Sequence, residues 1–184
     1  MKNQVVELLE KRLASRSFAA DAIPKEIVDE IAEAARLTPS CYNKQPWRFM
    51  FLESPEALAK SNVFLVPGNA VWAGRAKLVV IGYSKAEDDC QLPDGREYHE
   101  FDLGLCVMNM ILAATARGLV ARPMAGFDPQ KVREIFGLSE TEKPLITVAF
   151  GYKSEDEAHL PDYYKGADSR PRERKPVSEI VKKL

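Results

Sequence analysis

From about Phe101 to Arg117 the sequence is apolar on nearly every side of a helix. Leu103, Leu105, Val107, Met108, Met110, Ile111, Leu112 and Ala113 leave almost no polar face. A helix of this kind must be buried all round, in the centre of a domain or against another subunit. In a chain of 184 residues the second outcome is attractive, because one small domain can rarely sheathe so long a helix. Gly118 supplies its C-terminal stop. The rest of the chain has to provide a casing for this element.

Strand patterns stand on both sides of it. Leu78-Val79-Val80-Ile81-Gly82-Tyr83 and Leu145-Ile146-Thr147-Val148-Ala149-Phe150 read as buried strands, the second ended by Gly151. Phe49, Phe51 and Leu52 suggest a strand entering the core, and Leu119-Val120-Ala121 a shorter one. Helical spacing appears over residues 3–14 through Val5, Val6, Leu8, Leu9 and Leu13. It recurs from Pro24 onward, where Ile27, Val28, Ile31, Ala32 and Ala35 form a buried stripe. Residues 55–61 make a short helix opened by Ser54 and Pro55, and Asp128 caps another whose first residue is Pro129. Residues 84–97 are a charged loop with a Pro93-Asp94-Gly95 turn. The tail after residue 152 is polar and proline-broken, with a last amphipathic piece at Val177, Ile180 and Val181. Helices and strands intermix without a regular βαβ rhythm. That predicts one α+β domain over residues 1–184, with a mixed, mainly antiparallel sheet between helix layers.

Several function classes drop out. A formal net charge of -1 argues against nucleic acid or anionic membrane as the main partner. No apolar run approaches the roughly 18 residues of a membrane span, and the N-terminus lacks a signal-peptide apolar region. Cysteines at 41, 90 and 106 are odd in number and lack C-x-x-C spacing, which argues against a disulfide framework or a zinc site. Cys106 reads as a small core residue, and a reducing cytoplasm is the simplest compartment. His99 and His159 stand in polar, loop-like settings and read as solvated surface. There is no G-x-G-x-x-G or G-x-S-x-G element. The stretch from Gly68 to Arg75 is not a phosphate loop, since its glycines are too widely spaced, and Trp72 reads as core.

One polar run stands apart: Pro39-Ser40-Cys41-Tyr42-Asn43-Lys44-Gln45-Pro46-Trp47-Arg48-Phe49. Pro39 stops the preceding helix, and Pro46 gives up a backbone donor just before the strand pattern begins. The connector between them carries amide and hydroxyl groups that hydrogen-bond without bringing charge. Such a surface suits a flat heterocycle, or it serves turn geometry alone. Two basic islands accompany it: Lys11-Arg12-Leu13-Ala14-Ser15-Arg16-Ser17-Phe18, and Arg170-Pro171-Arg172-Glu173-Arg174-Lys175-Pro176. Arg12 complements a helix C-terminus or clamps an anion; Arg16, beyond the helix, fits the clamp better. Gly126 either permits close approach of a ligand or eases a turn.

Together the three segments resemble the nitroreductase-like FMN flavoproteins, with their N-terminal R-x-S-x-R-x-F, central P-S-x-x-N-x-Q-P-W-x-F and C-terminal R-x-R/K-P elements. The resemblance runs over nearly the whole chain and implies a three-layer fold and an FMN cofactor. It implies that Arg12, flanked by Leu13 and Ala14, joins Arg172 and Arg174 around the phosphate. Arg16 would stand near the ring's pyrimidine edge or ribityl chain. Ser40, Asn43 and the Pro39 carbonyl would bond the ring and ribityl hydroxyls. Pro123 and Met124 would lead into Ala125 and Gly126, whose backbone amides face the reactive ring nitrogen. It further implies a homodimer with FMN at its interface and NADH or NADPH as co-substrate. A small-molecule acceptor, nitroaromatic, quinone or similar, would be reduced by a ping-pong cycle. Enone reduction, dehalogenation, flavin breakdown or a non-catalytic flavin store are alternatives. The chain departs from the pattern at Ala14, where a serine is usual, and at Ala125, where some members are acidic. Arg75 and Lys77 are unaligned candidates for a further basic contact, and the parts of Gln45 and Cys41 are left open.

Overall fold

The computed structural model describes residues 3–184. Its centre is a four-stranded sheet of β1 (Trp47–Leu52), β2 (Leu78–Ser84), β3 (Leu119–Met124) and β4 (Lys143–Tyr152), in the order β1-β2-β4-β3. Every pairing within it is antiparallel. β3 lies at an edge, where Pro123 removes no ladder bond that a second neighbour needs.

Alternation along the strands makes two cores. Leu78, Val80, Leu119, Ala121, Val148 and Phe150 face the helices α2 (Lys25–Arg36) and α5 (Tyr98–Ala116). Val79, Ile81, Val120, Met124 and Ala149 face the other way. There they meet α3 (Pro55–Phe64), α4 (Pro67–Ala73) and α6 (Pro129–Phe136), with Trp72 of α4 fully buried. A period of two thus places one strand's side chains in two separate layers. Each large aliphatic or aromatic side chain buried this way contributes roughly 1.5–3 kcal/mol. The α+β, three-layer expectation holds.

The helix that frames the problem, α5, buries Leu103, Cys106, Val107, Met110, Ile111 and Ala114 against α2 and the sheet. Leu105, Met108 and Leu112 remain half-buried and Phe101 is 53% exposed. One chain therefore covers most of this helix but not its whole circumference. The predicted caps form as read: Ser54 accepts the Ala57 N–H, and Asp128 accepts those of Gln130 and Lys131. Gly118 takes a left-handed φ of 77° at the end of α5.

Other expectations need correction. α1 spans Gln4–Lys11 and buries none of its residues, with Val5, Val6 and Leu9 exposed. Leu13 leaves the helix because its carbonyl accepts the Ala121 N–H, laying the chain beside β3. Ala32 faces solvent rather than the α2 stripe. β4 continues through Gly151, where a Cβ would stand 2.8 Å from the Phe18 ring, so this glycine allows packing rather than ending a strand. The stretch from Gly68 lies in α4, consistent with its not being a phosphate loop. His99 is buried in the first turn of α5, its Nδ1 2.7 Å from the Ser84 Oγ. His159 is half-buried, and burial, then Arg75, lowers its pKa.

The largest correction concerns the cysteines. Cys41 and Cys90 form a disulfide across 49 residues of sequence. Spacing could not reveal it, because the antiparallel pairing of β1 with β2 and their flanking loops bring the two together only in three dimensions. Cysteine usage therefore no longer supports the expectation of a reducing compartment. Cys106 is the buried free thiol expected, donating to the Ala35 carbonyl. Among the described residues no helix is long and apolar enough to cross a membrane.

Candidate functional site

After α1 the chain turns along the sheet edge. Ser17 and Ala19 exchange backbone bonds with Ser154 and Tyr152, and Leu13 bonds Ala121. This places Arg12 to Arg16 beside β3. The C-terminal segment returns to the same place: Arg172 donates through Nη1 to the Leu9 carbonyl at 2.8 Å and through Nη2 to the Arg12 carbonyl. The two chain ends are tied by the very residues that carry the basic islands.

Between them lies a cleft of about 290 Å³ lined by Arg12, Leu13, Ala14, Arg16, Arg122, Ala167, Asp168, Arg170, Pro171, Arg172, Glu173 and Arg174. Six arginines face only two carboxylates there, in a chain whose net charge is -1. Burial, then Arg172 and Arg174, lowers the Arg12 pKa. Burial, then Arg16, does the same to Arg122. Arg16 stacks over the Tyr164 ring at 4.1 Å, and its Nε is buried with no hydrogen-bond partner among the described residues. Tyr164 is held in turn by its hydroxyl bond to the Gly68 carbonyl. Crowded, partly desolvated guanidiniums with an unused donor have the chemistry to bind an anion.

Arg122 and Arg170 were missed by the sequence reading. Arg122 donates to the Ala14 carbonyl and lies over the Trp72 ring at 5.6 Å. Its signal was present: on β3 it shares a face with Val120 and Met124, so strict alternation places a guanidinium on a core-facing position. Arg170 has no such signal beyond belonging to the basic island. Arg75 and Lys77 lie outside the cleft; Lys77 lines a separate pocket with Glu53 and Asn62.

Met124 is buried, while Pro123 and Ala125 are exposed. Among the described residues the N–H groups of Ala125 and Gly126 have no acceptor. The Gly126 carbonyl accepts the Val66 N–H at 3.1 Å and the Asn69 Nδ2 at 3.0 Å. A Cβ on Gly126 would stand 2.8 Å from both Asn69 and Val66. Close packing on α4 therefore explains this glycine.

The connector 39–46 does not line the arginine cleft. It is nevertheless built as a rigid element. Tyr42, Asn43 and Gln45 all take left-handed φ values of 48°, 57° and 50°. Non-glycine residues pay roughly 1–2 kcal/mol each for that geometry, so something must hold it. Ser40 Oγ accepts the Gln45 N–H at 2.9 Å, and Gln45 Nε2 donates to the Asn43 carbonyl and side chain at 3.2 Å. Gln45 thus pins the loop. From α5, the buried Asp102 carboxylate accepts the Cys41 N–H at 2.8 Å and Asn109 donates to Thr38 at 2.7 Å. Burial pushes the Asp102 pKa up against the pull of that N–H. Held so, Ser40 is half-buried, Asn43 is exposed, and Tyr42 is 87% exposed.

The profile of the Nitroreductase family matches residues 9–93 and 65–152. A Bacillus subtilis (strain 168) protein provisionally named an NAD(P)H nitroreductase, YdgI, is 31% identical over 85% of this chain and 91% of its own. The iodotyrosine deiodinase of Haliscomenobacter hydrossis is 27% identical over 85% of this chain and 82% of its own. A crystal structure of an oxidoreductase containing FMN superposes with a TM-score of 0.85 at 26% identity, over 98% of this chain and 92% of that one. The profile covers well over half the chain, and the matched range includes Arg12, Arg16 and Arg122 of the arginine cleft. This chain belongs to the nitroreductase family.

Proposed function

We propose that the chain is an FMN-dependent oxidoreductase that takes reducing equivalents from NADH or NADPH and passes them to a small electron-poor acceptor. The observation that carries this reading is the arginine cleft, where both chain ends converge and six arginines face two carboxylates. Arg12, Arg172 and Arg174 would hold the phosphate, with Arg16 and Arg122 deeper in the cleft. The free amides of Ala125 and Gly126 fit a ring edge where negative charge develops. When bound, FMN supplies the hydride chemistry, so the protein needs to position, orient and exclude water rather than donate its own acid or base. The donor and acceptor would use one face in turn, which is a ping-pong cycle.

Pro39, Ser40 and Asn43 do not reach the cleft within one chain, so a second copy is the source of the uncharged ring contacts. The exposed Val5, Val6, Leu9 and Phe101, and the apolar Val177, Ile180 and Val181 of the tail, support a homodimer. The two cores share one sheet, which supports residues 1–184 acting as one flavin-binding unit.

Nitroaromatics or quinones are the first acceptor class. Reductive dehalogenation is the second reading, favoured by the deiodinase relative. Anaerobic titration of FMN-loaded protein with each nicotinamide tests the core of the proposal: the flavin's visible absorbance should bleach, and nitroarene or haloarene panels should restore it at different rates. Protein that binds FMN tightly yet never oxidises NADH or NADPH would be a flavin store instead.

A further inference from the structure

Away from the arginine cleft, the connector carries a second cluster. Cys41 opens its helical turn and is joined to Cys90, in the loop between β2 and α5. Beside them Asp89 is 4% exposed. Its Oδ1 accepts the Cys90 N–H at 2.7 Å, whereas its Oδ2 is buried with no partner among the described residues. The basic residues of that loop are engaged elsewhere, Lys85 with Glu87 and Arg96 with Asp94. A buried carboxylate oxygen left without donor or cation is disfavoured and calls for an explanation. The two sulfurs and an Asp89 oxygen lie within 4.8 Å of one another. A single ion could reach all three at thiolate distances of about 2.3 Å and carboxylate distances of about 2.0–2.2 Å.

We propose that in the reduced chain Cys41, Cys90 and Asp89 form a binding site for a thiophilic divalent cation of the zinc type, so that disulfide and metal complex are alternative states of one cross-link. A dithiol reductant converts the Cys41–Cys90 bond to two thiols and leaves as its own cyclic disulfide. The cation then displaces two protons and binds two thiolates and the free carboxylate oxygen, with a fourth position for water. Soft thiolates select such ions over magnesium or calcium. Either state ties the connector, with its three left-handed residues, to the loop before α5.

The test needs no flavin and reads the ligands directly. Full-length protein is reduced with a dithiol, desalted anaerobically and titrated with Co²⁺. One equivalent should produce near-ultraviolet thiolate-to-cobalt charge transfer and the visible bands of a tetrahedral site, and the oxidised protein should give neither. Asp89→Asn, which keeps both cysteines, should weaken Co²⁺ binding at least about tenfold. Cys90→Ser should remove most of the charge-transfer intensity, whereas Cys106→Ala should keep it, since that thiol is buried elsewhere. No charge-transfer band in reduced wild type, or Asp89→Asn binding within twofold of wild type, overturns the proposal. Either result leaves the flavin reading untouched.

Discussion

Arg16 offers the sharpest test of the cleft, because its two roles report separately. Its guanidinium stacks on Tyr164 at 4.1 Å, a contact present without any ligand. Losing that contact should cost the free protein about 0.5–2 kcal/mol, depending on its desolvation. Its Nε is buried and unused. If it bonds an anionic or carbonyl oxygen of FMN, Arg16→Ala loses a charge-assisted bond worth roughly 1.5–3 kcal/mol, seen only in binding. That converts to about a 10- to 150-fold rise in the FMN dissociation constant. Quenching of flavin fluorescence in a titration gives the constant, and a thermal melt without FMN gives the stability term. Arg16→Lys should recover little, since an ammonium neither stacks as flatly nor presents a fork. A dissociation constant within twofold of wild type, in a variant that melts normally, would refute the placement of FMN against Arg16.

Other outcomes follow from the same geometry. Arg174→Ala should weaken FMN binding but leave riboflavin binding nearly unchanged, because only FMN carries the phosphate; equal losses for both ligands would remove Arg174 from that role. Gly126→Ala places a Cβ 2.8 Å from Val66 and Asn69 and should cost roughly 1–3 kcal/mol, read as a lower Tm. An unchanged Tm would mean that β3 and α4 are not packed as described. Burial pushes the Cys106 thiol up to about 11 from its ordinary 9.0. The folded chain then keeps a proton that the unfolded chain releases. Its contribution is complete below about pH 9 and is lost as pH rises toward 11, by roughly 2–3 kcal/mol. The unfolding free energy of wild type minus that of Cys106→Ala should therefore shrink between about pH 8 and pH 11; a constant difference would show that this thiol is not the cause.

Elements whose signal is local were legible. The strands around Val80 and Val148, the Ser54 and Asp128 caps and the core place of Trp72 each follow from spacing or from one capping side chain. His99 was misread because a polar neighbourhood in sequence says nothing about which side of α5 it falls on; that side packs against the end of β2, where Ser84 meets the ring. The arginines of both chain ends were picked out through a resemblance and line one cleft in the fold, but Arg122 was overlooked although its strand parity pointed inward.

By itself the sequence determined the layers and the polarity of each segment, because hydrophobic period and capping chemistry act over a few residues. It also fixed where the basic islands and the uncharged connector would lie along the chain. Only the tertiary structure decided which distant groups meet: Arg172 on the Leu9 and Arg12 carbonyls, Asp102 on the Cys41 amide, and Cys41 on Cys90. Those meetings depend on how the sheet and α5 fold the chain back on itself, and loop closure over 49 or 160 residues leaves no periodic trace to read.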